Sequence, residues 1–210
     1  MWRSGAVLEQ VVKSRRFSRI IANDAHPDLI RMWYALSREG WIPPKWVSKE
    51  EHTRLKNSRV PSALRGYAGF CCSFGGHFFS THEHRLGKRG NGVERSGQDG
   101  EWRSVTRRSK AFRNVELRNI DYEEILIPPA SIVYCDPPYI GTTGYSVGEF
   151  DHRRFWNTMD QWVERGAIVF VSESVGPWPV LDQITIHSIL AHSFGDKHRE
   201  CLFLKRPGHV

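Results

Sequence analysis

The stretch IVYCDPPYIGTTGYSVGEFDH, Ile132 to His152, decides how this chain is read. An apolar run ends in a carboxylate, two prolines and a tyrosine. Two consecutive prolines cannot continue a sheet, because neither has an N–H to donate and each fixes its own φ. A strand must therefore end at Asp136, and its tip carries an acceptor-only carboxylate, a rigid turn of Pro137 and Pro138, and the flat ring of Tyr139. A carboxylate beside a proline carbonyl can take both hydrogens of an exocyclic amine while the tyrosine stacks on the attached ring. That is the equipment for amine-directed chemistry on a base, which must first leave its duplex. The bland reading is a strand-ending turn with an incidental tyrosine, and the context of the turn weighs against it.

Outward from this turn, FDHRRFWNTMDQWVERG predicts a helix with Phe155, Met159 and Trp162 on one face, and AIVFVSES a buried strand. ITIHSIL and ECLFLKR predict a terminal antiparallel pair. Upstream, VELRNIDYEEI reads as a strand ending near Asp121, and FSRIIAND as a short strand ending at Asn23 and Asp24. GAVLEQVV opens a helix. HPDLIRMWYALSREG is a second, with Asp24 as N-cap, Pro27 in the first turn, Leu29, Ile30, Trp33 and Leu36 on one face, and Gly40 as the stop. WIPPKWVSKEEHTRLKN leads into a charged helix with Ser48 and Glu51 in capping-box spacing. Strand, helix, strand in this rhythm implies an α/β fold with a doubly wound sheet, whose ligands sit outside the carboxyl ends of the strands, where Asp24, Asp121 and Asp136 fall.

Between Arg65 and Asn114 the character changes to glycine, aromatics and arginine, with little clean periodicity before a final helix. The expected organisation is a core over 1–64 and 115–210 with 65–114 inserted. At 210 residues one domain is the default, and 30 Lys and Arg against 23 Asp and Glu, a net charge of +7, suit a polyanionic partner. Four cysteines without a CxxC pair favour neither a disulfide framework nor a zinc site. His77, His82 and His84 lie close together without an obvious fourth ligand, so no metal is expected. No apolar run has the length of a membrane span, and a monomer in the cytoplasm is expected.

Taken together, ANDAHPDLIRMWYAL, GWIPPKWVSKEEH, GYAGFCCSFGGHFF, NIDYEEI, SIVYCDPPYIGTTGYSVGEFDHRRFW and AIVFVSES, in this order, resemble the DNA adenine-N6 methyltransferases with a DPPY motif, the Dam-like group and its phage-type members. The resemblance implies a Rossmann-like S-adenosylmethionine-dependent methyltransferase sheet with an inserted basic target-recognition region, acting on double-stranded DNA, as in restriction-modification systems. It makes Asp136, Pro137, Pro138 and Tyr139 the catalytic pocket, Asp24 the ribose ligand and Asp121 a neighbour of the cofactor's adenine, with Asp136 also beside the cofactor. For Asp121 a solvated loop acid is an equal reading. In the inserted region Arg85, Lys88, Arg89, Arg95, Arg103, Arg107, Arg108 and Lys110 would meet phosphates or guanine edges, against the bland reading of a solvated basic loop. The family's first strand and glycine loop precede the position where MWRSGAV stands, so Ser4 and Gly5 would be their remnant. The alternative is therefore a catalytically silent, DNA-binding relic of such an enzyme.

Overall fold

The protein is described from a computed structural model covering the backbone of residues 5–83, 86–88, 94–140, 150–187 and 197–208, with side chains described outside 84–96 and 184–199. It forms two compact units, Trp2–Tyr122 and Glu123–Val210. The elements are α1 (Ala6–Ser14), β1 (Ile21–Asn23), α2 (Pro27–Arg38), α3 (Lys49–Asn57), α4 (Ala63–Cys71), β2 (Leu86–Lys88), β3 (Glu94–Ser96), α5 (Gly97–Ser109), β4 (Glu116–Arg118), β5 (Ile132–Cys135), α6 (His152–Glu164), β6 (Ile168–Glu173), β7 (Val180–His187) and β8 (Lys197–Lys205). This is a mixed α/β chain whose described strands form three sheets: β1 parallel to β4, β2 antiparallel to β3, and a four-stranded sheet in the order β5-β6-β8-β7.

The first unit is built on α2. Its apolar face places Leu29, Ile30, Met32, Trp33 and Leu36 in the core, and Trp33 meets Phe112 edge-on at 4.9 Å between centroids. Helix α4 lies against α2 so closely that a Cβ on Gly66 would stand 2.2 Å from the Asp28 carbonyl oxygen. Only glycine fits there. Asp28, 1% exposed, joins the two helix starts: its Oδ1 accepts the Ser62 N–H at 2.8 Å and its Oδ2 pairs with Arg65. Helix α4 starts before residue 65 and buries Tyr67, Ala68, Phe70 and Cys71 inside the segment expected to lack periodicity. Gly66 and Gly69, present for close packing, blur its apolar pattern. Ser48 caps α3 as expected, its Oγ accepting the Glu51 N–H at 3.2 Å.

Two expectations are corrected here. Asp24 is not the N-cap of α2; that position is His26, because Pro27 takes the first helical turn, and Asp24 Oδ1 instead accepts the His26 N–H at 2.8 Å in a turn that leads into the helix. The strand expected to run to the neighbourhood of Asp121 ends at Arg118. The Asn23 side chain explains this, since its Nδ2 donates to the Ile120 carbonyl at 3.0 Å and its Oδ1 accepts the Ile120 N–H at 3.2 Å, replacing the ladder.

In the second unit β5 and β6 are parallel, with Cys135 opposite Val171, and α6 connects them. Helix α6 is capped by Asp151, which accepts the Arg154 N–H at 2.9 Å, and buries Phe155, Trp156, Met159, Trp162 and Val163. Val169, Val171 and Phe203 supply the sheet's side of that core. The terminal pair is antiparallel, as the sequence predicts.

Candidate active site

The DPPY turn leaves the carboxyl end of β5, with Pro137 buried and Asp136, Pro138 and Tyr139 half-buried. The prolines end the ladder, and the neighbouring strands hold the tyrosine. Its hydroxyl lies 2.8 Å from Ser172 Oγ on β6 and donates to Glu200 Oε1 on β8 at 2.9 Å, while Ser172 Oγ donates to the same carboxylate oxygen at 3.0 Å. A phenol gripped from two strands has a fixed ring plane, as stacking on a base requires.

The surroundings favour the neutral forms of Tyr139, Tyr134 and Cys135. Burial raises the Tyr139 phenol far above its usual range, with Glu200 and Asp136 adding to the rise. Tyr134 shifts the same way, through burial and then Asp136. The Cys135 thiol is pushed up to about 12 by burial and by Asp136, and its S–H points to Met159 Sδ at 3.4 Å. A thiol so placed is no thiolate nucleophile at neutral pH.

Beside the tyrosine, the fully buried Glu173 accepts the Ile140 N–H at 3.2 Å on Oε1. Neither Ser172, Glu173 nor Glu200 was singled out from sequence. A polar SES closing an apolar strand was the available signal for the first two; Glu200 carried none, because its place follows from strand order.

In the first unit the parallel pair β1–β4 brings its own acids to one end. Asp24 follows β1 directly, and Asp121 follows Ile120, which the Asn23 side chain holds; Asn119 Nδ2 also donates to the Asp24 carbonyl at 2.8 Å. Both acids thus follow the carboxyl ends of a parallel strand pair. Gly5 has a different setting. It takes φ +63° at the start of α1, and a Cβ would stand 2.7 Å from Phe112 Cζ, so its small size serves core packing.

The basic residues divide into two kinds. Arg107 and Arg108 pair with the buried Glu9, Arg108 Nε at 3.0 Å, and Lys13 Nζ joins them at 2.7 Å. Lys13 first, then Arg108 and Arg107, outweigh the burial and lower the Glu9 carboxyl to about 2. Arg103 pairs on the surface with Asp99 at 3.0 Å, and Lys110 is exposed. Ser4, Arg85 and Arg89 lie outside the described residues, as do the side chains of Lys88 and Arg95. A cavity of about 460 Å³ in this unit is lined by Trp46, Ser48, Lys49, Glu50, Thr81 and His82. No described helix is long and apolar enough to cross a membrane.

The geometry thus shows a DPPY turn at the end of β5 whose tyrosine hydroxyl is held by Ser172 and Glu200. Residues 101–193, a stretch with β4, the DPPY turn, α6 and β6, match the model of the D12 class N6 adenine-specific DNA methyltransferase family. No match is found among curated proteins.

Proposed function

We propose that this chain transfers a methyl group from S-adenosylmethionine to the N6 amine of an adenine extruded from double-stranded DNA, on the doubly wound, Rossmann-like sheet usual for such enzymes. The observation that carries this reading is the Asp136-Pro137-Pro138-Tyr139 turn, with its tyrosine hydroxyl held by Ser172 and Glu200.

Asp136 and the Pro137 carbonyl accept the two amine hydrogens, and Tyr139 stacks on the base. Both acceptors lie on the amine's hydrogens, so its lone pair stays open for attack. S-adenosylmethionine supplies an electrophilic methyl group on a sulfonium. As the N–C bond formed and the methyl–sulfur bond broke, leaving the donor as a neutral thioether, positive charge would pass to the nitrogen, where the Asp136 carboxylate would lower its energy until the extra N–H proton was released to solvent. Transfer is direct, because the only cysteine at the turn, Cys135, is held protonated. Asp24 and Asp121 would hold the ribose and adenine of the donor, with Ser4 and Gly5 near its methionine part. The basic region over 65–114, with Arg85, Lys88, Arg89, Arg103 and Lys110, would follow the phosphates, whose neutralisation supplies most of the nonspecific affinity. Arg107 and Arg108 share their charge with Glu9, so their contribution to DNA is the smaller one.

The test is methyl transfer from labelled S-adenosylmethionine to unmethylated DNA, with nucleoside mass spectrometry. Wild type is expected to yield N6-methyladenine, and Asp136→Ala to lose on the order of 10²–10³ in rate with nonspecific DNA affinity unchanged. A D136A variant at the wild-type rate would remove the turn from the mechanism. A folded wild type that binds DNA but makes no product would instead identify a silent relic.

A further inference from the structure

Because β5 and β6 are parallel neighbours with Cys135 opposite Val171, residues 172–174 run beside the turn that follows β5. Ser172 takes the Tyr139 hydroxyl, and the next residue takes the backbone. Glu173 is 0% exposed. Its Oε1 accepts from the Ile140 N–H at 3.2 Å, the Ser174 N–H at 2.7 Å and the Ser174 hydroxyl at 2.8 Å. Its Oε2 faces His152 Nδ1 at 3.9 Å, and each of these two buried atoms lacks a hydrogen-bond partner among the described residues.

A buried carboxylate with one oxygen saturated and the other open is an expensive way to end a strand. An apolar residue would fill the space without that penalty, so the carboxylate's placement calls for a reason. Ile140 is the first residue after Tyr139 and donates its N–H to this carboxylate, and His152, the first residue of α6, stands near it without a hydrogen bond. The Ile140 side chain is 49% exposed, so packing alone holds little of the turn at this point.

We propose that Glu173 is a positioning residue: a buried clasp that holds the Ile140 amide and sets the course of the backbone just after the DPPY tyrosine. The clasp acts on the target base through the turn, and in this it rests on the reading of that turn as the adenine pocket. It contacts no reacting atom. Its effect is orientation, where a displacement of about 1 Å costs on the order of 10²-fold in rate.

The experiment reads amide exchange at Ile140 by NMR together with steady-state methyl transfer, for wild type, E173A and E173Q. In E173A the Ile140 amide is expected to exchange at least about 10-fold faster, with Val169 and Val171 unchanged as controls for the core. Its kcat should fall about 10–100-fold with KM for DNA within about twofold. The E173Q variant keeps an acceptor for the Ile140 N–H and should stay within about threefold of wild type in both readouts. Unchanged Ile140 exchange in E173A would overturn the clasp, and so would an E173Q as damaged as E173A. If E173A does not fold, the wild-type protein decides: an Ile140 amide exchanging at the free-peptide rate overturns the proposal, and strong protection sustains it. A wild type that exchanges as expected but methylates no DNA would overturn the functional reading and leave the clasp standing.

Discussion

Gln98 and Glu173 occupy comparable places in the two units, yet they use opposite chemistry. Gln98, 0% exposed, opens α5 just after the β2–β3 hairpin; its Oε1 accepts the Val47 N–H at 2.9 Å and its Nε2 donates to the Glu83 carbonyl at 2.8 Å, just before the hairpin. Nε2 also lies 3.2 Å from the Val47 carbonyl and 3.1 Å from His82 Nε2. Here a neutral amide ties the two stems of an excursion, with both its oxygen and its nitrogen engaged. Glu173 does the corresponding work beside the DPPY turn with a carboxylate that leaves one oxygen open. A satisfied amide is what a static anchor needs, whereas an under-satisfied buried carboxylate is tolerated where something beyond stability is served.

Exchanging the two chemistries is the strongest way to break this comparison. Q98E turns a donor into an acceptor facing two carbonyl oxygens, and should cost about 4 kcal/mol in thermal unfolding; Q98A, which leaves the same backbone groups unpaired, should cost about 3 kcal/mol. E173Q should change stability by less than about 1 kcal/mol in the same measurement, since it removes a buried charge and keeps an acceptor. A large loss in E173Q would make Glu173 a static anchor like Gln98.

Acid sharpens the comparison next, because the first unit holds its own perturbed groups. His52 bonds Ser73 Oγ at 2.8 Å through Nε2, and burial first, then His82 and Lys56, lower its imidazole from 6.5 to about 4. Between those values the unfolded chain binds the extra proton and the folded chain does not, so stability falls as pH drops from 6.5 towards 4 and is flat above. In H52Q, urea unfolding across that window should lose this slope. Glu9 acts in the adjacent window: its carboxyl stands at about 2 against an ordinary 4.5, so the stabilisation it gives is full above 4.5 and disappears as pH falls towards 2. Glu9→Gln should flatten that more acidic part of the curve, and an unchanged curve would show that Lys13, Arg107 and Arg108 contribute no pH-dependent stability there.

Much of the fold was legible because it follows from local rules. The apolar face of α2, the Ser48 cap, the prolines that end β5 and the amphipathic α6 each depend on residues within a few positions of one another. The misread points were set either by a neighbour's backbone constraint or by a partner far away in sequence. Asp24 looked like a cap until Pro27 fixed the helix start one residue beyond His26, and β4 looked longer than it is because Asn23, far away in sequence, captures Ile120. Nor does the sequence show that Glu9 on α1 engages Arg107 and Arg108.

The sequence by itself determined the DPPY turn, the alternation of helix and strand, and the resemblance to adenine methyltransferases, since a proline pair, a periodic apolar face and an ordered set of motifs are all written along the chain. Only the tertiary structure decided what holds that turn. Ser172, Glu173 and Glu200 reach Tyr139 and Ile140 because β6 lies beside β5 and β8 beside β6. Strand order is a property of packing between segments remote in sequence, and a short polar side chain acquires its role from the neighbour that packing places within about 3 Å of it.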